Sequence, residues 1–155
     1  MKTTRRRARR LTLESLYEYD VADHPALEVL ARRVEEQPIE RSGYEFARTL
    51  IGGVIDYQAI MDPLIIRYAP EWPLEQMAVI DRNILRIAIF EFLIDTDTPV
   101  KVAINEAVEL AKIYGADSAP RFINGVLGTL ADQVDDLRAE LAEKNRTETN
   151  DLVTV

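Results

Sequence analysis

The sequence predicts an all-α chain, and three observations carry that prediction. Six glycines and seven prolines punctuate 155 residues otherwise rich in alanine, leucine, isoleucine, glutamate and arginine. Apolar residues recur three and four positions apart, the period of a helix face and not the alternation of a strand. The prolines fall between these periodic runs or in the first turn of one. With 47% hydrophobic residues, the length suits one domain with a sizeable core.

The first helix runs from an N-cap at Thr3 or Thr4 to about Val21, a stretch with no Gly or Pro. Asp23-His24-Pro25 breaks it, because Pro25 biases His24 away from the helical region. A second helix covers about Ala26 to Glu36, with Leu27, Leu30, Ala31 and Val34 as its apolar stripe, and Pro38 ends it. The third spans about Glu40 to Met61. Gly52-Gly53 lies inside it, where each glycine costs roughly 1 kcal/mol relative to alanine, so a close packing contact is expected there. Pro63, Pro70 and Pro73 frame a connector with a short helical piece at Leu64 to Tyr68, and Trp72 is expected to close one end of the core.

The run from about Leu74 to Ile94 is apolar on nearly every side and is expected to be the central helix, with Asp81, Arg82 and Arg86 near its start. After the turn at 95–98, Val102 to Tyr114 reads as an amphipathic helix stopped at Gly115. Ser118 can cap a last helix with Pro120 in its first turn, continuing through Leu141. Residues 1–143 thus form the folded domain, and 144–155 read as a polar, disordered tail.

Charge is distributed very unevenly. Residues 1–10, MKTTRRRARR, hold six of the 19 basic side chains and no acid, which leaves 13 basic against 27 acidic groups in the rest. The arginines sit at the positive end of the helix macrodipole, where each badly placed exposed charge costs roughly 0.3–1 kcal/mol. Fold stability does not ask for them. At about 100° per residue, Ala8, Leu11, Thr12, Ser15, Leu16 and Tyr19 form a core stripe. Arg6, Arg10, Leu13 and Tyr17 follow one another on the opposite side. Tyr17 is then either wedged against another helix or reserved for a partner.

Several function classes are excluded or constrained. There is no cysteine, hence no disulfide, thiolate nucleophile or thiolate metal site. The single histidine, His24, makes neither a triad nor a metal site. No strand precedes the glycine pair and no G-x-x-x-x-G-K occurs, so no phosphate loop is expected. Catalytic residues, metals and cofactors are therefore expected to be absent. No apolar h-region follows the basic start and no run of about 18 apolar residues exists, so a cytoplasmic protein without a membrane span is expected. A net charge of −8 repels bulk nucleic acid, and any such contact must centre on the basic arm.

Four blocks together are specific: RRRAR leading into LESLYEY, then DRNILRIAIFEFL, then VKVAINEAVELAKIYG, and after a short polar gap RFINGVLGTLA. This pattern, over about residues 3 to 135, resembles the NusB family of bacterial transcription antitermination factors. The resemblance implies about seven helices in two packed helical subdomains, and an RNA-binding protein without catalysis. It implies as partners the ribosomal protein NusE, the single-stranded boxA element of ribosomal RNA transcripts and the transcription elongation complex. By the same resemblance Arg5, Arg6, Arg7, Arg9 and Arg10 form the RNA-binding arm, joined by Lys101, Ser118 and Phe122. Tyr17 and Asp81 face NusE. Phe122 can stack on an unpaired base or serve as plain core. The competing reading is a homodimeric protein-interaction scaffold with no direct RNA role. An enzyme is the weakest alternative: the related methyltransferase domains need a separate cofactor domain and a cysteine.

Overall fold

A computed structural model describes the backbone of residues 2–69 and 73–153, and side chains within 3–69 and 73–148. Trp72, expected at the end of the core, lies outside the described residues. Seven α-helices follow in order: α1 Lys2–Ala22, α2 Ala26–Glu36, α3 Arg41–Tyr68, α4 Val79–Ile89, α5 Val100–Tyr114, α6 Ala119–Ala131 and α7 Val134–Val153. A 3-10 turn, Leu74–Gln76, precedes α4, and a π-helical turn, Phe90–Ile94, prolongs it. There is no strand among the described residues. The first three helices pack on one another, α5 and α6 pair beside them, and α4 joins the two groups through contacts with α1, α3, α5 and α6.

The apolar run made α4 the expected centre, and from Asn83 to Leu93 every residue is buried. Its polar members are partnered, as burial requires. Asn83 donates to Asp20 at 2.8 Å, and Arg86 forks onto Asp62 at 2.8 and 2.9 Å. The expected continuous helix from Leu74 is instead interrupted at Met77-Ala78, both in extended conformation. At its far end the π turn leaves the Phe92 carbonyl to a side chain, and Arg138 of α7 donates to it at 2.7 Å.

Four boundaries differ from the sequence expectation. α1 begins at Lys2, so Thr3 and Thr4 lie inside the helix and neither caps it. α3 does not stop at Met61 but passes through Pro63 to Tyr68. Pro63 leaves the Ala59 carbonyl without its helical donor, and both residues are exposed, so water can serve that oxygen while Leu64 and Ile65 stay buried. The single last helix is two: the chain turns at Asp132-Gln133, which lets α7 reach the π turn. The helical backbone of α7 then runs to Val153, across the segment from Lys144 read as a disordered tail. Good helix formers such as Glu143 and Lys144 explain its continuation without a core.

By length and composition α3 could cross a membrane, a property the sequence reading overlooked. Its apolar side is instead engaged by α1, α2, α4 and α6. Gly52-Gly53 within it divides cleanly. A Cβ on Gly53 would run into the Phe90 ring, while one on Gly52 would meet nothing within 4 Å. Gly53→Ala is therefore expected to cost about 1–3 kcal/mol through overpacking. Gly52→Ala should raise stability by up to about 1 kcal/mol; urea denaturation of the two variants checks the opposite signs.

Candidate nucleic-acid interface

The arm is the first two turns of α1, and its five arginines leave the helix in different directions. Arg9 points inward. It is 4% exposed and forks onto Glu91 with Nε at 3.0 Å from Oε2 and Nη2 at 2.7 Å from Oε1. Thr98 donates its hydroxyl to the same carboxylate at 2.9 Å. Arg9 is thus buried and paired within the fold, apart from the exposed remainder of the RNA-binding arm that the resemblance implied. Its position is i−3 to Thr12, i−4 to Leu13 and i−7 to Leu16, and all three are buried. Leu13 is likewise core and not an exposed apolar residue, because α2, α3 and α4 enclose α1 over a wider arc than one stripe.

The other four arginines are exposed. Arg5 lies over the Phe46 ring of α3, 4.4 Å from its centroid, a cation–π contact that steadies the side chain and leaves its charge open. Arg7 donates to the Pro38 carbonyl at 2.9 Å. Arg6 and Arg10 line a shallow groove against Glu106, Leu110 and Ile113 of α5. Arg6 Nε donates to Glu106 at 3.1 Å, and Arg10 has no hydrogen bond among the described residues. Lys101 is exposed in the first turn of this same α5.

A second group gathers where α4 begins and α6 begins. Ser118, Phe122, Arg121, Asp81, Gln76 and Met77 line a cavity of about 460 Å³. Phe122 is half-buried, packed on the core at one side and on the cavity at the other. It is therefore not plain core, and part of its ring remains open to the cavity. Ser118 makes no side-chain cap, contrary to expectation; its backbone is already helical and its carbonyl accepts from Phe122 N–H. Gly115 is needed for a close approach: a Cβ there would sit 2.9 Å from the Ala111 carbonyl, beside Ala119.

Tyr17 is 41% exposed and lines a neighbouring hollow of about 330 Å³ with Leu13, Glu14, Arg33, Ile80 and Tyr114. Ile80 borders this hollow and Asp81 the other, so the first turn of α4 sets the two side by side. Tyr114 donates to Glu14 at 2.8 Å, and burial, with that carboxylate, pushes its phenol well above the usual tyrosine range. Arg33 also donates to Glu18 at 3.3 Å, and Glu18 in turn grips Arg32 and His24, whose hydrogen bonds lower its carboxyl to about 2.

Asp81 is the one acid among four residues, with Arg33, Arg82 and Arg138, that keep a buried polar side-chain atom unpartnered among the described residues. Its Oδ1 is buried without a hydrogen-bond partner among the described residues, and desolvation raises its carboxyl above the usual range. Because burial penalises the charged form, stability is greatest at low pH and is lost as pH rises through the raised folded-state pKa. Asp81→Asn is therefore expected to raise Tm at pH 7. The gain should shrink at roughly pH 3–4, where aspartate begins to protonate in any case. An equal gain at both pH values would contradict the assignment.

Sequence reasoning missed the supports of the arm: Glu91, Glu106 and Phe46. An acidic residue inside the most apolar helix was the signal for Glu91, since a buried carboxylate demands a cation. Glu106 and Phe46 gave none.

An all-helical fold, an acidic body and a first helix that opens with exposed arginines are the features that set this chain apart. Residues 6–132 match the NusB family, and the chain belongs to it. The family consists of transcription factors and not of enzymes. Relatives called transcription antitermination protein NusB include one from Dehalococcoides mccartyi strain CBDB1, 49% identical over 131 residues, 84% of this chain and 92% of the relative. Among solved structures, T. maritima NusB is 34% identical with a TM-score of 0.74 over 93% of this chain and 96% of that one. A chain from a structure of antitermination factors NusB and NusE in complex with dsRNA is 25% identical, with a TM-score of 0.75 over 83% and 96%.

Proposed function

We propose that this protein is a transcription antitermination factor that binds the boxA element of ribosomal RNA transcripts together with the ribosomal protein NusE. The two act in the cytoplasm on the transcription elongation complex. The observation that carries this reading is the set of four exposed arginines, Arg5, Arg6, Arg7 and Arg10, on a protein of net charge −8. They persist at the helix end where they are least favourable. Their planar forks suit phosphates and base edges, and Lys101 adds a cation on the adjoining helix. Phe122 offers a ring face to an unpaired base, with Ser118 as a polar neighbour.

Tyr17 and Asp81 face NusE in this account. Asp81 lines one hollow and the exposed ring of Tyr17 the other, side by side on the same face. NusE completes the RNA surface, so the pair binds RNA more tightly than either protein alone, and the coupling is reciprocal. The test is a titration of boxA-like RNA with and without NusE, wild type beside Arg6→Glu/Arg10→Glu. Enhancement by NusE that the charge reversal abolishes is expected. RNA affinity indifferent to both NusE and the reversal would overturn the reading, and a change of mass to that of a dimer at low salt would favour a homodimeric scaffold.

A further inference from the structure

Arg6 is held by one edge only. Its Nε donates to Glu106 Oε1 at 3.1 Å, and neither terminal nitrogen has a hydrogen-bond partner among the described residues. The flat Nη1/Nη2 edge, the one that forks a phosphate or carboxylate, is left open, and the side chain is 52% exposed. Glu106 is not a loose surface acid. It is 14% exposed, and its Oε2 lies 3.9 Å from Arg9 Nη1. Arg9 is fixed by its fork on Glu91, and Glu91 by Thr98. Thr98, Glu91, Arg9, Glu106 and Arg6 thus form a ladder from the buried turn after α4 to the surface, the charges alternating from Glu91 outward, with only the outermost rung open.

We infer that Glu106 is a positioning residue for RNA binding, holding Arg6 by Nε so that its terminal nitrogens are presented to a phosphate. This rests on the arm being the RNA-binding surface. A free surface arginine loses rotamer freedom when it settles on a ligand, and one already anchored has lost much of it beforehand. The opposing effect is repulsion between Glu106 and the incoming phosphate. Glu106 lies within reach of two guanidinium groups, which offset most of its field. Arg10, on the same groove with no such anchor, shows what an unpositioned arm residue looks like.

The two effects give opposite signs in RNA titrations of three variants in the full chain. Glu106→Ala removes charge and anchor, whereas Glu106→Gln removes the charge and keeps a carbonyl that still accepts from Arg6 Nε. Glu109→Gln removes a nearby charge that is paired only with Lys112 at 3.0 Å. Positioning expects Glu106→Ala to weaken binding by about threefold to tenfold, Glu106→Gln to stay near wild type, and Glu109→Gln to bind equally or slightly more tightly. In an Arg6→Ala background the Glu106→Ala effect should vanish, a coupling that general loss of structure does not produce. If Glu106→Ala and Glu106→Gln both bind more tightly than wild type, Glu106 is a competitor and the inference is overturned. If Arg6→Ala itself leaves affinity unchanged, the RNA-binding reading of the arm fails first.

Discussion

Replacing Glu91 with alanine is expected to lower the unfolding free energy by about 3–5 kcal/mol. The residue is 2% exposed and its partner Arg9 4%, so the variant strands a guanidinium where water cannot reach it. Thr98 loses its acceptor as well. Against a total stability of about 5–15 kcal/mol for a typical domain, this is enough to unfold a large share of molecules near body temperature. Removing both partners is a different matter. Arg9→Met with Glu91→Leu replaces the pair with packed apolar groups and should recover most of the loss. Urea denaturation followed by circular dichroism measures both. A single variant within about 1 kcal/mol of wild type would mean that the pair does not fasten α1 to the π turn after α4.

Arg6→Glu/Arg10→Glu is expected to leave the fold intact and to weaken RNA binding by about a hundredfold or more. Each hydrogen bond to a charged group is worth about 1.5–3 kcal/mol, and 1.4 kcal/mol is a factor of ten. Two lost contacts therefore account for the hundredfold before any repulsion between the new glutamates and phosphate. The two positions tolerate reversal structurally because both are exposed and Arg6 has a single surface anchor. Filter binding or fluorescence anisotropy with boxA-like RNA reads the affinity, and Tm of the variant verifies the fold. Arg9→Glu is the informative contrast: it should destroy stability, not binding alone, since it sets two carboxylates together in the interior.

Much of the fold was legible because helices announce themselves through period and punctuation. α2 appears at the bounds its sequence implies, Ala26–Glu36, and Asp23 ends α1 in the left-handed conformation just before Pro25. The central place of α4 followed from its apolarity. What the sequence hid depended on tertiary context. Pro63 looks like a stop, and only the exposure of its face and the burial of Leu64 and Ile65 beyond it explain why α3 continues. The turn at Asp132-Gln133 carries no glycine or proline to mark it.

The candidate site divides in the same way. Arg5, Arg6, Arg7 and Arg10 are exposed, as a basic run outside the core should be, but composition cannot sort one arginine of a run from the next. Arg9 differs from them only in falling on the stripe with Thr12, Leu13 and Leu16, and a stripe that begins with a charge is easily discounted. Tyr17 could be packed or open on its spacing alone, and the structure leaves it exposed. Asp81 could not have been read as orphaned, because its environment is assembled from α4, α6 and the turn before α4.

The most direct test of the claim that exposed arm arginines hold a ribonucleotide backbone is the salt dependence of boxA RNA binding. If about four arginines touch phosphates, log affinity should fall against log salt with a slope near −3, about −0.7 per contact, and Arg6→Glu/Arg10→Glu should flatten it to near −1.4. A slope that is the same in both proteins, or near zero in wild type, would contradict the account.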